Sequence, residues 1–536
     1  MPELVVRINK GDEYRLEFSP GQSLQEILNT ADIRIRTGCN GNGACGFCRM
    51  MVTKGEAGGP TQNERLLLDR DQLARGERLA CQLAPRNSLE IEIVSNTIET
   101  NWRDLPILRS KQYSPLPGSY SIPLTGRSFG LVVDLGTTHI SISLWNLDNG
   151  IQVAGRYGLN PQISIGFDII TRLSAAVESS DLAGDLSHQV IRSIGKGLAD
   201  ICFREYLDAQ EVVKVVLVGN TAMLALMSGK NYNLLLKPEY WTQAIDCLPE
   251  EQDFSVSAWS INVLSDVIII PPLAGFIGSD LIAGFVATKM IEHDPGILFI
   301  DFGTNSEIAL WDGHDLWITS AAGGPAFEGC GINCGLPAEY GAAFSVHFND
   351  ASGEFAFEVV GGGKKPLGLC GSGLVDLLAY LVKKKIVTSK GLFSSSVPNK
   401  GFSFMLGKKK LVLTKRDIDM LQRAKAAIGV GVEVLMEKAR MKYSDLQRIY
   451  IGGAFGQYLD ISNACALGLL PPVPIDRCKT MGNTALAGGE DLLFMQDAQN
   501  YLNNIRSMIK TVELGKNPDF EHFFIKNLYI KPMELR

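Results

Sequence analysis

Phe129-Gly130-Leu131-Val132-Val133-Asp134-Leu135-Gly136-Thr137-Thr138 has a counterpart later in the chain, Ile297-Leu298-Phe299-Ile300-Asp301-Phe302-Gly303-Thr304-Asn305. In both, an apolar run ends in an aspartate, one apolar residue follows, and a Gly-Thr turn leads into a second run. That second run is Ile140-Ser141-Ile142-Ser143-Leu144 in the first copy and Glu307-Ile308-Ala309-Leu310 in the second. A short apolar run closed by a turn reads as a buried strand. The turn offers backbone N–H groups and a hydroxyl to a phosphate. One such hairpin says little, but two predict a duplicated fold whose turns face each other across a cleft. A second pair of sites supports the duplication: Val215-Val216-Leu217-Val218-Gly219-Asn220-Thr221 and Ile449-Tyr450-Ile451-Gly452-Gly453-Ala454-Phe455-Gly456. Glycine after a strand lets the backbone lie flat against a ligand. Helices are expected between these strands, over 372–384 and 417–436.

A different chemistry sits near the N-terminus, in Cys39-Asn40-Gly41-Asn42-Gly43-Ala44-Cys45-Gly46-Phe47-Cys48, with Cys81 further on. Three cysteines at C-x5-C-x2-C and a distant fourth suit a [2Fe–2S] cluster. Glycines allow positive φ, so the loop's amides can turn toward the sulfurs. Structural zinc sites usually pair two short Cys-x-x-Cys units, which fits this pattern less well. Cys39, Cys45, Cys48 and Cys81 are therefore the expected cluster ligands.

Composition bounds the rest. At 536 residues the chain exceeds a single core, so several domains are expected, and the repeated strands with helices between them make the fold class α/β multidomain. Net charge −7 argues against a broad nucleic-acid surface. Seven of the eleven cysteines are scattered outside the cluster set, which argues against a disulfide framework and for a reducing cytoplasm. The N-terminus does not read as a signal peptide. The most apolar run, 267–288, carries Pro271-Pro272, glycines and Asp280, so no membrane span is expected.

Leu4 to Phe18 reads as two strands around Lys10-Gly11, and Ser23-Leu24-Gln25-Glu26 as a capping box starting a helix. Leu89-Glu90-Ile91-Glu92-Ile93 alternates as a half-buried strand. Together with the cysteine loop, residues 1–97 resemble a β-grasp ferredoxin, closer to the vertebrate-type than to the plant-type spacing. Residues 98–127, with Pro106, Pro115, Pro117, Pro123 and several serines, read as a mobile linker.

Residues 128–536 resemble the actin/sugar-kinase (ASKHA) ATPase fold in two lobes. There is no GxxxxGK[ST] loop, which excludes a Walker ATPase. A ferredoxin joined to such an ATPase resembles the ATP-dependent reductive activators of corrinoid proteins. Matching strings are Asn160-Pro161-Gln162, Gly278-Ser279-Asp280, Asp301 to Asn305, Gly323-Gly324-Pro325-Ala326-Phe327-Glu328-Gly329, Gly371-Ser372-Gly373 and Gly482-Asn483-Thr484.

The resemblance implies one-electron return of cobalt(II) corrinoid to cobalt(I) in a methyltransferase system, coupled to Mg-ATP. It implies a corrinoid-protein partner and an external low-potential electron donor, and it leaves a homodimer open. On this reading Asp134 and Asp301 hold Mg²⁺ through water. Thr137, Thr138, Gly303 and Thr304 hold phosphates, Gly452, Gly453 and Phe455 line adenosine, and Gly136, Asn220 and Asn305 join them in binding the nucleotide. Glu307 or Asp168 positions water, the bland alternative for either being a cap at an element's end. His139 reads as a packing residue. Three departures stand out: a linker too short for the extra domain of some members, no cysteine after Cys478, and Cys330 where a small residue is expected. Two ligands, Cys330 and Cys334, rarely make a metal site. The rival readings are a small-molecule kinase with a redox-sensing ferredoxin, an activator of radical dehydratases, and a non-catalytic redox scaffold. The ferredoxin module argues against the second and the two Asp-x-Gly-Thr turns against the third.

Overall fold

The computed structural model describes residues 2–8, 12–31, 33, 35, 43, 46, 48–93, 102–105, 111–116, 127–166, 168–249, 257–303, 305–329, 331–338, 341–349, 353–362 and 366–534. Cys39, Cys45, Thr304 and Cys330 lie outside the described residues.

The N-terminal module is a five-stranded sheet of β1 (Glu3–Ile8), β2 (Asp12–Glu17), β3 (Arg49–Lys54), β4 (Glu77–Leu79) and β5 (Leu89–Ile93), in the order β2-β1-β5-β3-β4. β1 and β5 run parallel at its centre. The helix Leu24–Thr30 crosses one face and buries Leu24, Ile27 and Leu28 against Leu4, Val6 and Ile91. Its start carries the expected box: Ser23 N–H donates to Glu26, and Glu26 N–H donates to Ser23 Oγ.

The remainder is built twice. The first lobe holds β6 (Arg103–Asp104), β7 (Phe129–Leu135), β8 (His139–Asn146), β9 (Ile151–Leu159), β10 (Val212–Gly219) and β11 (Asp266–Ile269), ordered β11-β10-β7-β8-β9-β6. The second holds β12 (Ile297–Phe302), β13 (Ser306–Trp311) and β14 (Leu316–Ala321). After these come a small sheet of β15 (Ala342–Asn349), β16 (Glu354–Val359) and β17 (Gly368–Leu369), and a hairpin of β18 (Phe402–Leu406) and β19 (Lys409–Leu413). Then β20 (Arg448–Gly452), β21 (Cys478–Gly482) and β22 (Ile509–Thr511) complete the order β21-β20-β12-β13-β14-β22. In both lobes the leading strand pairs antiparallel with the second and parallel with the strand that precedes the next glycine site. The duplication expected from the two repeated stretches is thus a duplication of sheet topology. The expected helices span Gly371–Lys383 and Lys415–Lys438.

Between the two sheets lie the helices Ser279–Thr288 and Thr484–Phe494. One apolar core joins them to Val132, Val216 and Val218 of the first lobe and to Ile297, Phe299 and Ala309 of the second. The helix Thr484–Phe494 follows a strand of the second lobe yet packs on the first, so each lobe is tied to the other through it.

The segment 98–127 differs from the expected mobile linker in its described parts. β6 pairs antiparallel with β9 and forms the edge of the first lobe's sheet. Tyr113 stacks on Phe494, with ring centroids 4.3 Å apart, and donates its hydroxyl to Asp491 at 2.5 Å. Trp102 and Tyr113 are isolated aromatics, so they leave no periodic signal, but Trp102 packs against the core of the first lobe and Tyr113 against the core between the lobes. Among the described residues no helix is long and apolar enough to cross a membrane.

Candidate functional site

The two repeated hairpins face one cleft of about 430 Å³. Asp134 and Asp301 stand at the inner ends of β7 and β12, and both line it. Two consecutive residues at the start of the helix Thr484–Phe494 hold them. Asn483 Nδ2 donates to Asp134 Oδ2 at 2.7 Å, and Thr484 Oγ1 donates to Asp301 Oδ2 at 3.4 Å. Asn483 is also that helix's N-cap, its Oδ1 accepting from Leu486 N–H, so its amide is fixed at both ends.

The first turn is braced from below. Asn220 caps the helix Thr221–Ser228 and donates to Thr137 Oγ1 at 2.8 Å. Asn160 Nδ2 donates to the Gly136 carbonyl at 2.9 Å. Arg172, fully buried, donates to the Thr137 carbonyl at 2.8 Å and to the Gly166 carbonyl at 2.7 Å. Burial lowers its pKa to about 9. The strings around Asn160 and Asn220 thus act through the turn they hold. Thr138 Oγ1 donates across the cleft to Glu328 Oε2 at 3.2 Å.

The second turn brings Gly303, Asn305 and Glu307 to the same wall. Glu307 lies opposite Asp301 in the β12–β13 ladder. Asp280, at the start of the helix Ser279–Thr288, completes the group. Burial dominates the acidity here. It pushes Asp134 up to about 7, with the Asp280 charge adding to it and the Asn483 hydrogen bond opposing. Burial, then Asp280 and Asp134, pushes Asp301 up to about 7. Asp280 rises to about 6, and Glu307 rises well above the carboxylate range through burial beside Asp280 and Asp301. Six carboxylates line the cleft (Asp104, Asp134, Asp280, Asp301, Glu307, Glu328), and no lysine or arginine does among the described residues. His139 is on the wall, its ring tilted 6.3 Å from Tyr157.

Three expected residues, Asp168, Gly452 and Phe455, are not on the cleft wall. Asp168 caps the helix Ile169–Glu178, accepting from Thr171 N–H at 2.9 Å and from its hydroxyl at 2.7 Å, so the capping alternative holds for it. Phe455 does not line the cleft. The short helix Gly453–Gly456 turns its ring inward, 5.1 Å from Phe302 and 5.0 Å from Phe327, and it is 7% exposed. In this structure Phe455 packs in the core of the second lobe. Gly453 does reach the cleft, at φ +83, where a Cβ would lie 2.2 Å from the Phe302 carbonyl oxygen. Gly452 lies beside Asp301 in the ladder, and its missing side chain leaves Thr484 room to reach that carboxylate. Asp280, Asn483 and Glu328 were present in the sequence only as parts of matching strings, with no role attached.

In the N-terminal module Cys48 and Cys81 come together from β3's start and the turn after β4. Their sulfurs are 3.3 Å apart, well beyond a disulfide bond of about 2.05 Å. Two thiols this close without a covalent bond suit ligation of one metal, and thiolates are the donors an iron–sulfur cluster takes. Cys334 is buried in the second lobe, where burial raises its thiol pKa far above the ordinary range, so it is a packing residue there.

Comparison with known proteins agrees with this architecture. Residues 8–86 match the 2Fe-2S iron-sulfur cluster binding domain, 129–293 the RACo middle region, and 296–536 the C-terminal domain of RACo, the ASKHA domain. Over 423 residues the chain is 28% identical to the corrinoid activation enzyme RamQ of Eubacterium limosum, covering 74% of this chain and 70% of that one. It is 24% identical over 437 residues to the [Co(II) methylated amine-specific corrinoid protein] reductase of Methanosarcina barkeri, covering 75% and 76%. A solved structure, a reductive activator for corrinoid, iron-sulfur protein, superposes on 100% of this chain and 99% of its own, with a TM-score of 0.69 and 26% identity. With a 2Fe-2S domain ahead of both RACo regions, which together span nearly all of the chain after residue 128, the chain belongs to the RACo family.

Proposed function

We infer that the chain is an ATP-dependent reductive activator of a corrinoid protein, returning the partner's stranded cobalt(II) to cobalt(I) by one electron. The observation that carries this is the join between its two chemistries. β6 and Leu105, the segment leading from the cysteine module, supply Asp104 and Leu105 to the wall of the nucleotide cleft. A nucleotide in that cleft touches the very strand from which the cysteine module hangs.

When bound, a [2Fe–2S] cluster on Cys39, Cys45, Cys48 and Cys81 supplies single electrons at a potential near about −400 mV. Each ~100 mV of deficit toward cobalt(I) costs about 2.3 kcal/mol per electron. A coupling free energy of about 1–3 kcal/mol between two sites is of the size needed. The chain's residues supply that coupling by responding to ATP. Backbone N–H groups of the two turns, with Thr137, Thr138, Thr304 and Asn305, hold phosphates.

Six carboxylates and, among the described residues, no lysine or arginine line the cleft, so it repels a bare polyphosphate and the nucleotide enters with its cation. Among the described residues no three acidic, histidine or cysteine side chains converge closely enough to hold a metal directly. Asp134 and Asp301 would hold a Mg²⁺ ion that arrives with the nucleotide, through its water shell. Glu307 positions the attacking water. Phosphates at Thr138 compete for the hydroxyl that Glu328 now accepts, and the two negative groups repel. ATP therefore breaks one contact between the lobes, and that difference between states is what lets it shift an equilibrium. A low-potential donor reloads the module, and the cytoplasm is the compartment.

The test mixes reduced chain, cobalt(II) corrinoid protein and Mg-ATP without oxygen and follows the absorbance of cobalt(I). Cobalt(I) is expected only with ATP, and a non-hydrolysable analogue stops turnover after binding. Equal yields with and without ATP would remove the energy coupling.

A further inference from the structure

Cys81 has a polar neighbour in the next residue. Gln82 Nε2 lies 3.7 Å from Cys81 Sγ, within reach of an N–H···S hydrogen bond. Two donors decide which end of this amide faces the sulfur. Thr61 Oγ1 donates to Gln82 Oε1 at 3.4 Å, and Asn63 Nδ2 donates to it at 3.3 Å. Thr61 Oγ1 meanwhile accepts from Glu64 N–H as the cap of the helix Gln62–Leu67, so its own proton turns toward Gln82. With Oε1 engaged, the NH₂ end faces Cys81, within reach of both its sulfur at 3.7 Å and its carbonyl oxygen at 3.5 Å.

The platform beneath these donors is rigid. Glu64 and Arg78 are both buried and share two hydrogen bonds of 2.8 Å, and Glu64 also accepts from Thr61 N–H and Leu79 N–H. From the other side, Gly43 of the cysteine loop makes the room. Its φ is +71, and a Cβ there would lie 2.5 Å from Gln82 Cδ and 2.7 Å from Asn63 Nδ2. The loop meets the amide with bare backbone, which no other residue type allows.

We propose that Gln82 is a positioning residue for electron transfer, its amide donating to the Cys81 thiolate and raising the reduction potential of the cluster on that ligand. Reduction adds negative charge to the sulfurs, and a fixed donor stabilises the more negative state more than the other. The proposal rests on the cysteine ligand set and not on the identity of the electron acceptor.

The test is a redox titration of the full chain with its cluster, read by EPR. Gln82→Met keeps the length and removes the donor. At a fixed applied potential near the midpoint its reduced-to-oxidised ratio is expected to fall by about fivefold, the scale of one hydrogen bond. Asn63→Ala, which leaves Gln82 in place but loosens its orientation, shifts the ratio the same way by less. An unchanged ratio in Q82M with a normal visible spectrum overturns the proposal. If Q82M fails to hold a cluster, the unaltered chain decides: with glutamine side chains labelled by ¹⁵N, pulsed EPR of the reduced cluster should show a coupling to one amide nitrogen, and its absence overturns the proposal as well.

Discussion

Asp134 and Asp301 end equivalent strands of the two lobes, but the residue paired with each differs. Opposite Asp134 stands Ser141, whose hydroxyl shares the Asn483 amide with it. Opposite Asp301 stands Glu307, a second carboxylate, whose neighbour Ser320 lies at 3.5 Å. A duplicated frame has thus been given two chemistries. The first hairpin gives its acid a neutral ladder partner and an amide donor, and can bind a phosphate and its cation. The second places two acids side by side and can both hold a cation and orient water.

The largest test of this asymmetry removes the acids themselves. Asp301→Asn is expected to lower ATP turnover by about three orders of magnitude while the visible spectrum of the cluster stays the same, since the two modules have separate cores. Asp134→Asn likewise abolishes turnover. Normal hydrolysis by D301N would show that the second hairpin does not serve the nucleotide.

The ladder partners sharpen the comparison further. Glu307→Gln should lower kcat by about 10²-fold with KM for ATP little changed, as expected of a group that acts on the attacking water. Ser141→Ala should change neither by more than about threefold, because Asn483 still serves Asp134. Equal losses in the two variants would mean that the hairpins are chemically alike after all.

The smallest effect is a proton count. Burial raises Asp134 and Asp301 to about 7, so both are largely protonated in the empty chain at about pH 6. A cation favours the charged form, so binding must drive these protons off. Calorimetry of Mg-ATP binding in two buffers of different ionisation enthalpy should show proton release at about pH 6 that fades by about pH 8. D301N should release fewer protons at the lower pH, and release that does not depend on pH would detach these carboxylates from the cation.

Much of this was legible because it repeats or alternates. The Asp-x-Gly-Thr stretches gave away both lobes and both aspartates, and the capping box and the alternating strand at 89–93 gave away the N-terminal sheet. What stayed hidden converges from places without a local signal. Asn483 and Asp280 act from the starts of helices distant in sequence from Asp134 and Asp301, and only the packing of those helices between the sheets brings them in. Glu328 belongs to the opposite lobe from the threonine it touches. Phe455 followed a strand and a glycine pair, which suggested a ligand surface. A side chain's direction off a four-residue helix depends on the tertiary core, and there the core claimed it.

The edge strand β6 bears on how the molecule can be divided. Its sequence invites a cut anywhere between the cysteine module and Phe129. A fragment beginning at residue 128 would lose the outermost strand of the first sheet and the partner of Arg156 at Asp104. It would also lose two residues of the cleft wall and the Tyr113 ring stacked on Phe494. Nucleotide affinities measured on such a fragment would describe an altered site with an opened flank. A dissection that starts the ATPase at Trp102 keeps this border strand, both cleft residues and the Tyr113 ring with the nucleotide site.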